Sequence, residues 1–184
     1  PQEGVSGVSG RAEARYGGAE REKAGAMVLE VGNGSFNVHA DAYARDTDDL
    51  AVKGLNVSAR RLATGAALAV PVTPGRVPNS NAVSSGGALG ASYTWANGFV
   101  GLSQSQYTSR YGTVAEPAVV IDMDSRRWDL AGEMRELGSM LTGIKFKLTE
   151  TEYRHAEIDA GITNTRFSNR GYEGRIEASH GRIG

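Results

Sequence analysis

The sequence contains no cysteine, no long apolar run and no excess of basic residues. Without cysteine there is no disulfide scaffold, no thiolate zinc site and no cysteine nucleophile. The most apolar stretch, residues 66–72, is far shorter than the roughly 20 apolar residues of a membrane-spanning helix, and Pro71 interrupts it. Lysine and arginine are scattered and the formal net charge is -1, which excludes the basic stripe of a nucleic-acid-binding protein.

Alternation of apolar and polar residues is the dominant pattern, and it is clearest between residues 35 and 45. The apolar members are Phe36, Val38, Ala40, Ala42 and Ala44, and each residue between them is polar or charged. In an extended strand this places an apolar face opposite a polar one. A soluble sheet buries that apolar face in a core, whereas a membrane β-barrel turns it toward lipid, so this segment alone leaves both architectures open.

The same period of two recurs along the chain, whereas helical periodicity is hard to find. About eight segments carry it, at residues 11–16, 24–31, 35–45, 88–95, 99–111, 127–135, 144–149 and 172–179. Each segment has a polar or charged face. The pattern therefore predicts an all-β, antiparallel fold.

The connections between these segments alternate in length. Short links lie near Gly32, Asn97 and Gly138, and longer ones at 46–82, 112–120 and 156–166. Short periplasmic turns facing longer extracellular loops are typical of outer-membrane barrels. The charged faces also fit a water-filled lumen, because burying unpaired charges between packed sheets costs several kcal/mol each. We therefore expect part of an antiparallel transmembrane β-barrel, with a soluble β-sandwich as the alternative.

Several phrases, taken in order, resemble TonB-dependent outer-membrane receptors. They are GRAEARYGG at 10–18, HADAYARDTDD at 39–49, GRVPNS at 75–80, GFVGLS at 98–103, YGTV at 111–114, IDMDSRRWDL at 121–130 and FSNRGYEGR at 167–175. The resemblance is closest to the early barrel strands of the branch that includes zinc-uptake receptors. It implies that residues 1–184 supply about eight strands of a barrel of about 22, and that the plug with its energy-coupling box is absent.

The resemblance also implies a function and partners. Such receptors lie in the outer membrane of Gram-negative bacteria, contact its lipid, take up a small extracellular ligand, and couple to the TonB protein through the plug. We expect active uptake of a scarce nutrient, such as zinc, an iron siderophore or haem. A passive porin or adhesin barrel, or a soluble carbohydrate-binding module, is the alternative. Both ends of the chain look like cuts through a longer protein.

An enzyme and a resident cofactor are not expected. The sequence has no nucleophile elbow, no His-Glu-x-x-His motif, no phosphate-binding loop and no dinucleotide fingerprint. The only metal or iron complex we expect is therefore transported cargo.

Two groups of residues are candidate metal ligands. His155, Glu157 and Asp159 occupy alternate positions of a strand, so an imidazole and two carboxylates share one side, as a partial zinc site requires. Asp46, Asp48 and Asp49 open the longest loop as an oxygen-rich cluster that suits a hard cation, although aspartates also serve turn chemistry there.

Overall fold

The computed structural model describes residues 6–68 and 70–181, so the outermost residues of both ends lie outside the description. Within this part the chain forms ten strands and one short helix. They are β1 (Ser6–Gly17), β2 (Glu22–Asn33), β3 (Phe36–Thr47), β4 (Ala51–Leu55), α1 (Ala59–Ala63), β5 (Pro74–Arg76), β6 (Ala82–Trp95), β7 (Gly98–Thr113), β8 (Glu116–Arg135), β9 (Leu141–Asp159) and β10 (Ile162–His180). No helix in the described residues is long and apolar enough to cross a membrane.

Eight strands form one antiparallel sheet in the order β1-β2-β3-β6-β7-β8-β9-β10. Each strand pairs with its nearest neighbour in this sheet along the chain, and β4 and β5 pair separately inside the long β3–β6 connection. The sheet is open, with β1 and β10 at its edges. The predicted all-β fold, a partial antiparallel β-barrel, is confirmed.

The two faces of the sheet differ in chemistry, and the register keeps each face continuous from strand to strand. One row of directly paired residues reads Leu102, Leu130 and Leu148, and the neighbouring row on the opposite face reads Ser103, Asp129 and Thr149. We call the first the outer face and the second the inner face. The outer face continues through Leu89 and Met27, and the inner face through His39.

The exposure of the two faces is the reverse of that in a soluble protein. Along β6 the outer-face residues with side chains are mostly exposed, whereas the small and polar inner-face residues are shielded by their neighbours. Leu89 is 59% exposed, and Val119 is the only buried hydrophobic residue in the described part. A compact protein of 19.4 kDa exposes about 8,500 Å², whereas this chain exposes 12443 Å². The sheet is a single layer without a core, which does not fit the β-sandwich alternative.

The connections at the two rims differ from the expectation in part. The short turns at 34–35, 96–97 and 136–140 lie where the sequence indicated them. At the other rim the connection of residues 48–81 is long, as expected. The expected long loops at 112–120 and 156–166 are wrong, because strands continue through most of both ranges and turn at residues 114–115 and 160–161.

The β7–β8 and β9–β10 hairpins lengthen the strands at this rim. β8, β9 and β10 have 20, 19 and 19 residues, well beyond the 9–11 residues, roughly, that cross a bilayer. The apolar part of the outer face ends at Trp128 on β8 and Tyr172 on β10. Both residues are direct partners of Glu150 on β9, which lies between them. Beyond them the outer face carries ion pairs such as Arg126 with Asp124. Aromatic residues at such a boundary are typical of a membrane interface.

Candidate functional site

The inner face of β8 and β9 carries a connected set of charged side chains. Arg127 Nε and Nη2 donate to the two carboxylate oxygens of Asp129 at 2.6 and 2.9 Å, because residues two apart in a strand share a face. Thr149 lies directly opposite Asp129 and donates to it at 2.7 Å. Lys147 approaches the same carboxylate at 3.6 Å. Hydrogen bonds to both oxygens hold Asp129 as a fixed negative charge on this wall.

His39 forms the corresponding polar contacts on β2 and β3. Its Nε2 lies 2.9 Å from Asp41 Oδ2, and its Nδ1 lies 3.2 Å from Glu30 Oε1. Glu30 is the residue directly opposite His39 in the β2–β3 register. Both ring nitrogens therefore have carboxylate partners, which fixes the imidazole against the wall.

A shallow groove of about 370 Å³ separates these two polar sets. Glu30 and His39 line one side of it and Asp129 lines the other. Its floor consists of small inner-face residues, including Gly90, Gly101 and Ser103, which leave space above the sheet where larger side chains would fill it. The inner face is thus a polar surface with an open groove.

The structure does not bring the predicted zinc ligands together. His155, Glu157 and Asp159 lie on the inner face of β9, half-buried, at alternate positions as the sequence indicated. His155 is engaged with Tyr153, whose hydroxyl lies 3.1 Å from its Nδ1. Within the described ranges, no three histidine, aspartate or glutamate side chains converge closely enough to hold a metal ion. Zinc binding by these residues remains a prediction.

The aspartates of the long loop are also separated, and two of them have structural roles. Asp49 accepts a hydrogen bond from the Ser80 backbone at 3.0 Å and lies 3.7 Å from Arg76. Asp48 faces Arg21 at 3.9 Å. Asp46 is exposed at the end of the β2–β3 pairing, opposite Lys23. These contacts agree with the structural role of loop aspartates, which the sequence left open as the alternative to a cation site.

Comparison with known proteins bears on the fold. No protein family description and no curated protein matches the chain. The fold is similar to that of copper transporter OprC. The TM-score is 0.75 over 100% of this chain, with 12% sequence identity. The chain spans 27% of the length of that protein. At this identity the likeness shows the fold alone, that of part of an antiparallel β-barrel, and it does not single out the zinc-uptake branch.

Sequence reasoning missed the contacts that hold the long loop in place. Asn79 Nδ2 lies within 3.1 Å of three carbonyl oxygens, those of Thr113, Glu116 and Val119. These carbonyls belong to the β7–β8 hairpin, where the pairing register shifts. The loop also bonds to the β1–β2 turn through the Asp48 and Ala51 amides. The loop therefore contacts the rim at both hairpins.

Beyond Asp49 all the charged residues of this loop are basic, a second feature that the alternation pattern did not indicate. The sequence has no aspartate or glutamate between Asp49 and Glu116, while the loop carries Lys53, Arg60, Arg61 and Arg76. Arg76 faces Asp49, and Arg61 donates to Thr64 and to the Ala67 carbonyl. Lys53 and Arg60 are exposed. The loop thus presents positive charge at the rim that carries the long connection.

Proposed function

We propose that this chain forms part of the barrel wall of an outer-membrane transporter that takes up a metal, as an ion or as a complex, with energy supplied through TonB. The observation that carries the proposal is the reversed polarity of a single sheet. Its apolar side chains are exposed on one face, while fixed charges line the other. Lipid against the outer face and water against the inner face satisfy both.

The metal is proposed from the likeness to a copper transporter together with the resemblance to zinc-uptake receptors in the sequence. Neither source fixes the cargo. Zinc, copper and iron complexes are therefore compared directly in the test below.

The positive loop favours cargo of negative charge over a bare cation. A surface of one sign raises the local concentration of oppositely charged ligands and speeds their capture. Lys53 and Arg60 would attract an anionic metal complex and repel a free divalent cation. A metal held in an anionic chelate is accordingly the form of cargo that this rim would attract.

The test is uptake by cells that carry the complete reading frame in a strain from which the gene has been deleted. Labelled zinc, copper and iron are supplied as free ions and as anionic chelates, with and without the TonB protein. We expect TonB-dependent uptake of one metal, stronger for its chelate. Equal uptake of unrelated small solutes without TonB would instead identify a passive porin, and absence of all metal uptake would reject the proposal.

The role of the loop cations in capture can be tested by substitution. Replacing Lys53 and Arg60 by glutamine removes two exposed cations, and we expect slower chelate uptake at low ionic strength and little change at high salt. Arg126→Gln is the matched control, because it removes an exposed cation from the outer face. An equal effect of the control would contradict a role of the loop charge in capture.

A further inference from the structure

We infer that Met123 and His155 form a binding site for a monovalent soft metal ion, Cu⁺, on the inner face of β8 and β9. The inference deepens the proposed function, on which it rests, by naming two ligands and the class of ion they prefer. A thioether and an imidazole are ligands that suit monovalent copper, whereas carboxylates suit harder cations.

The register of the sheet places the two side chains next to each other. Met123 on β8 is the direct partner of His155 on β9, so both point to the inner face. Directly opposed residues in antiparallel strands have Cβ atoms about 4.5–5.5 Å apart. A flexible methionine side chain reaches across that distance to an imidazole. Both residues are half-buried, so they are shielded from bulk water without being closed off from the lumen.

The histidine is already oriented for ligation. Tyr153 holds its Nδ1 at 3.1 Å, and the ring stacks on Phe167, with the centroids 5.3 Å apart. Phe167 lies on the β10 side of His155 and Met123 on the β8 side. Nε2 has no polar partner among the described residues. Neighbouring groups orient a metal-binding histidine in this way: they hold one ring nitrogen, here Nδ1, and the plane of the ring, and they leave the other nitrogen, Nε2, open to the metal.

The remaining sulfur in the chain lies elsewhere. The chain has no cysteine, so any sulfur ligand it supplies is a methionine. Met27 and Met134 are exposed on the outer face, and Met140 lies in the β8–β9 turn. Met123 is the only one of the four methionines on the inner face, and it lies opposite His155, whose ring, unlike that of His39, is not held between two carboxylates.

The site predicts a metal preference that separates it from the zinc site expected from the sequence. Met123→Leu should weaken Cu⁺ binding and leave Zn²⁺ unchanged. If zinc uses the carboxylates of Glu157 and Asp159, the double variant Glu157→Gln, Asp159→Asn should weaken Zn²⁺ binding and leave Cu⁺ binding unchanged. His155→Gln removes a ligand from both sites.

The experiment measures binding to the purified full-length protein, with Cu⁺ held by a competing chromophoric chelator and Ag⁺ as a redox-stable probe. We expect Met123→Leu and His155→Gln each to weaken both ions about tenfold or more, a loss of the size seen when a metal site is disturbed. Leucine has nearly the volume of methionine, so the variant keeps the fold. Met134→Leu is the matched control on the outer face and should bind as the parent does.

Two results separate this inference from the proposed function. Unchanged Cu⁺ and Ag⁺ binding in Met123→Leu would overturn the site, whatever the cells take up. Tight, Met123-dependent binding in a protein whose cells import no metal would keep the site and reject the proposed function.

Discussion

An arginine placed on the outer face should destabilise the protein far more than an arginine placed one residue further along the same strand. Leu102 lies on the outer face in a row with Leu130 and Leu148, and it is 50% exposed. Replacing an exposed leucine on a soluble protein by arginine changes the free energy of unfolding by about 0.5 kcal/mol or less. Against lipid the same change costs more, up to about 2–4 kcal/mol at the middle of a bilayer.

Ser103 supplies the matched control. It lies on the inner face directly opposite Asp129 and lines the groove, which has room for a longer side chain. An arginine there remains in water, so we expect a change below about 1 kcal/mol. The assay is urea unfolding of the full-length barrel in phospholipid vesicles, followed by tryptophan fluorescence. Equal costs for Leu102→Arg and Ser103→Arg, or a larger cost on the inner face, would refute the assignment of the two faces.

Two further substitutions test local packing in the same protein. Asn79→Ala removes the contacts to three carbonyl groups and places alanine at a φ of 58°. We therefore expect the free energy of unfolding to fall by about 1–3 kcal/mol and proteolysis within residues 48–81 to become faster. Asn81→Ala is the control, because its side chain is exposed, and it should leave proteolysis unchanged. Gly132→Ala places a Cβ 2.5 Å from the Phe146 ring and should cost about 1–3 kcal/mol in unfolding experiments. Gly171→Ala, which meets open space, should be neutral, and equal effects of the two glycine variants would contradict the packing described for β8 and β9.

The faces of the strands could be predicted from sequence because they follow from a local rule. Side chains alternate in an extended chain, so the order of apolar and polar residues around Phe36 and Trp128 is enough to assign each face. The number of strands in the main sheet follows from the same pattern. The reversed burial could not be read from the sequence, since a soluble sheet has the same alternation and only the absence of a second layer distinguishes them.

The connections and the site depend on contacts between distant residues, which local patterns do not contain. Gly112, Pro117 and Gly161 are typical loop residues, yet the strands continue past the first two and turn at the third. Asn79 supports one of these hairpins from a segment far away in the chain. His155, Glu157 and Asp159 lie on one side of a strand, as the alternation indicated. The cross-strand partners of His155, Met123 and Phe167, became visible only with the register.

The absence of cysteine allows the central claim to be tested along one strand without removing native thiols. Single cysteines are introduced at successive positions from Phe36 to Arg45 in the full-length protein, and intact outer membranes are treated with a water-soluble, membrane-impermeant maleimide. We predict that labelling alternates, with His39, Asp41 and Tyr43 reactive and Val38, Ala40 and Ala42 protected. Uniform labelling of both sets would contradict a sheet whose apolar face lies against lipid.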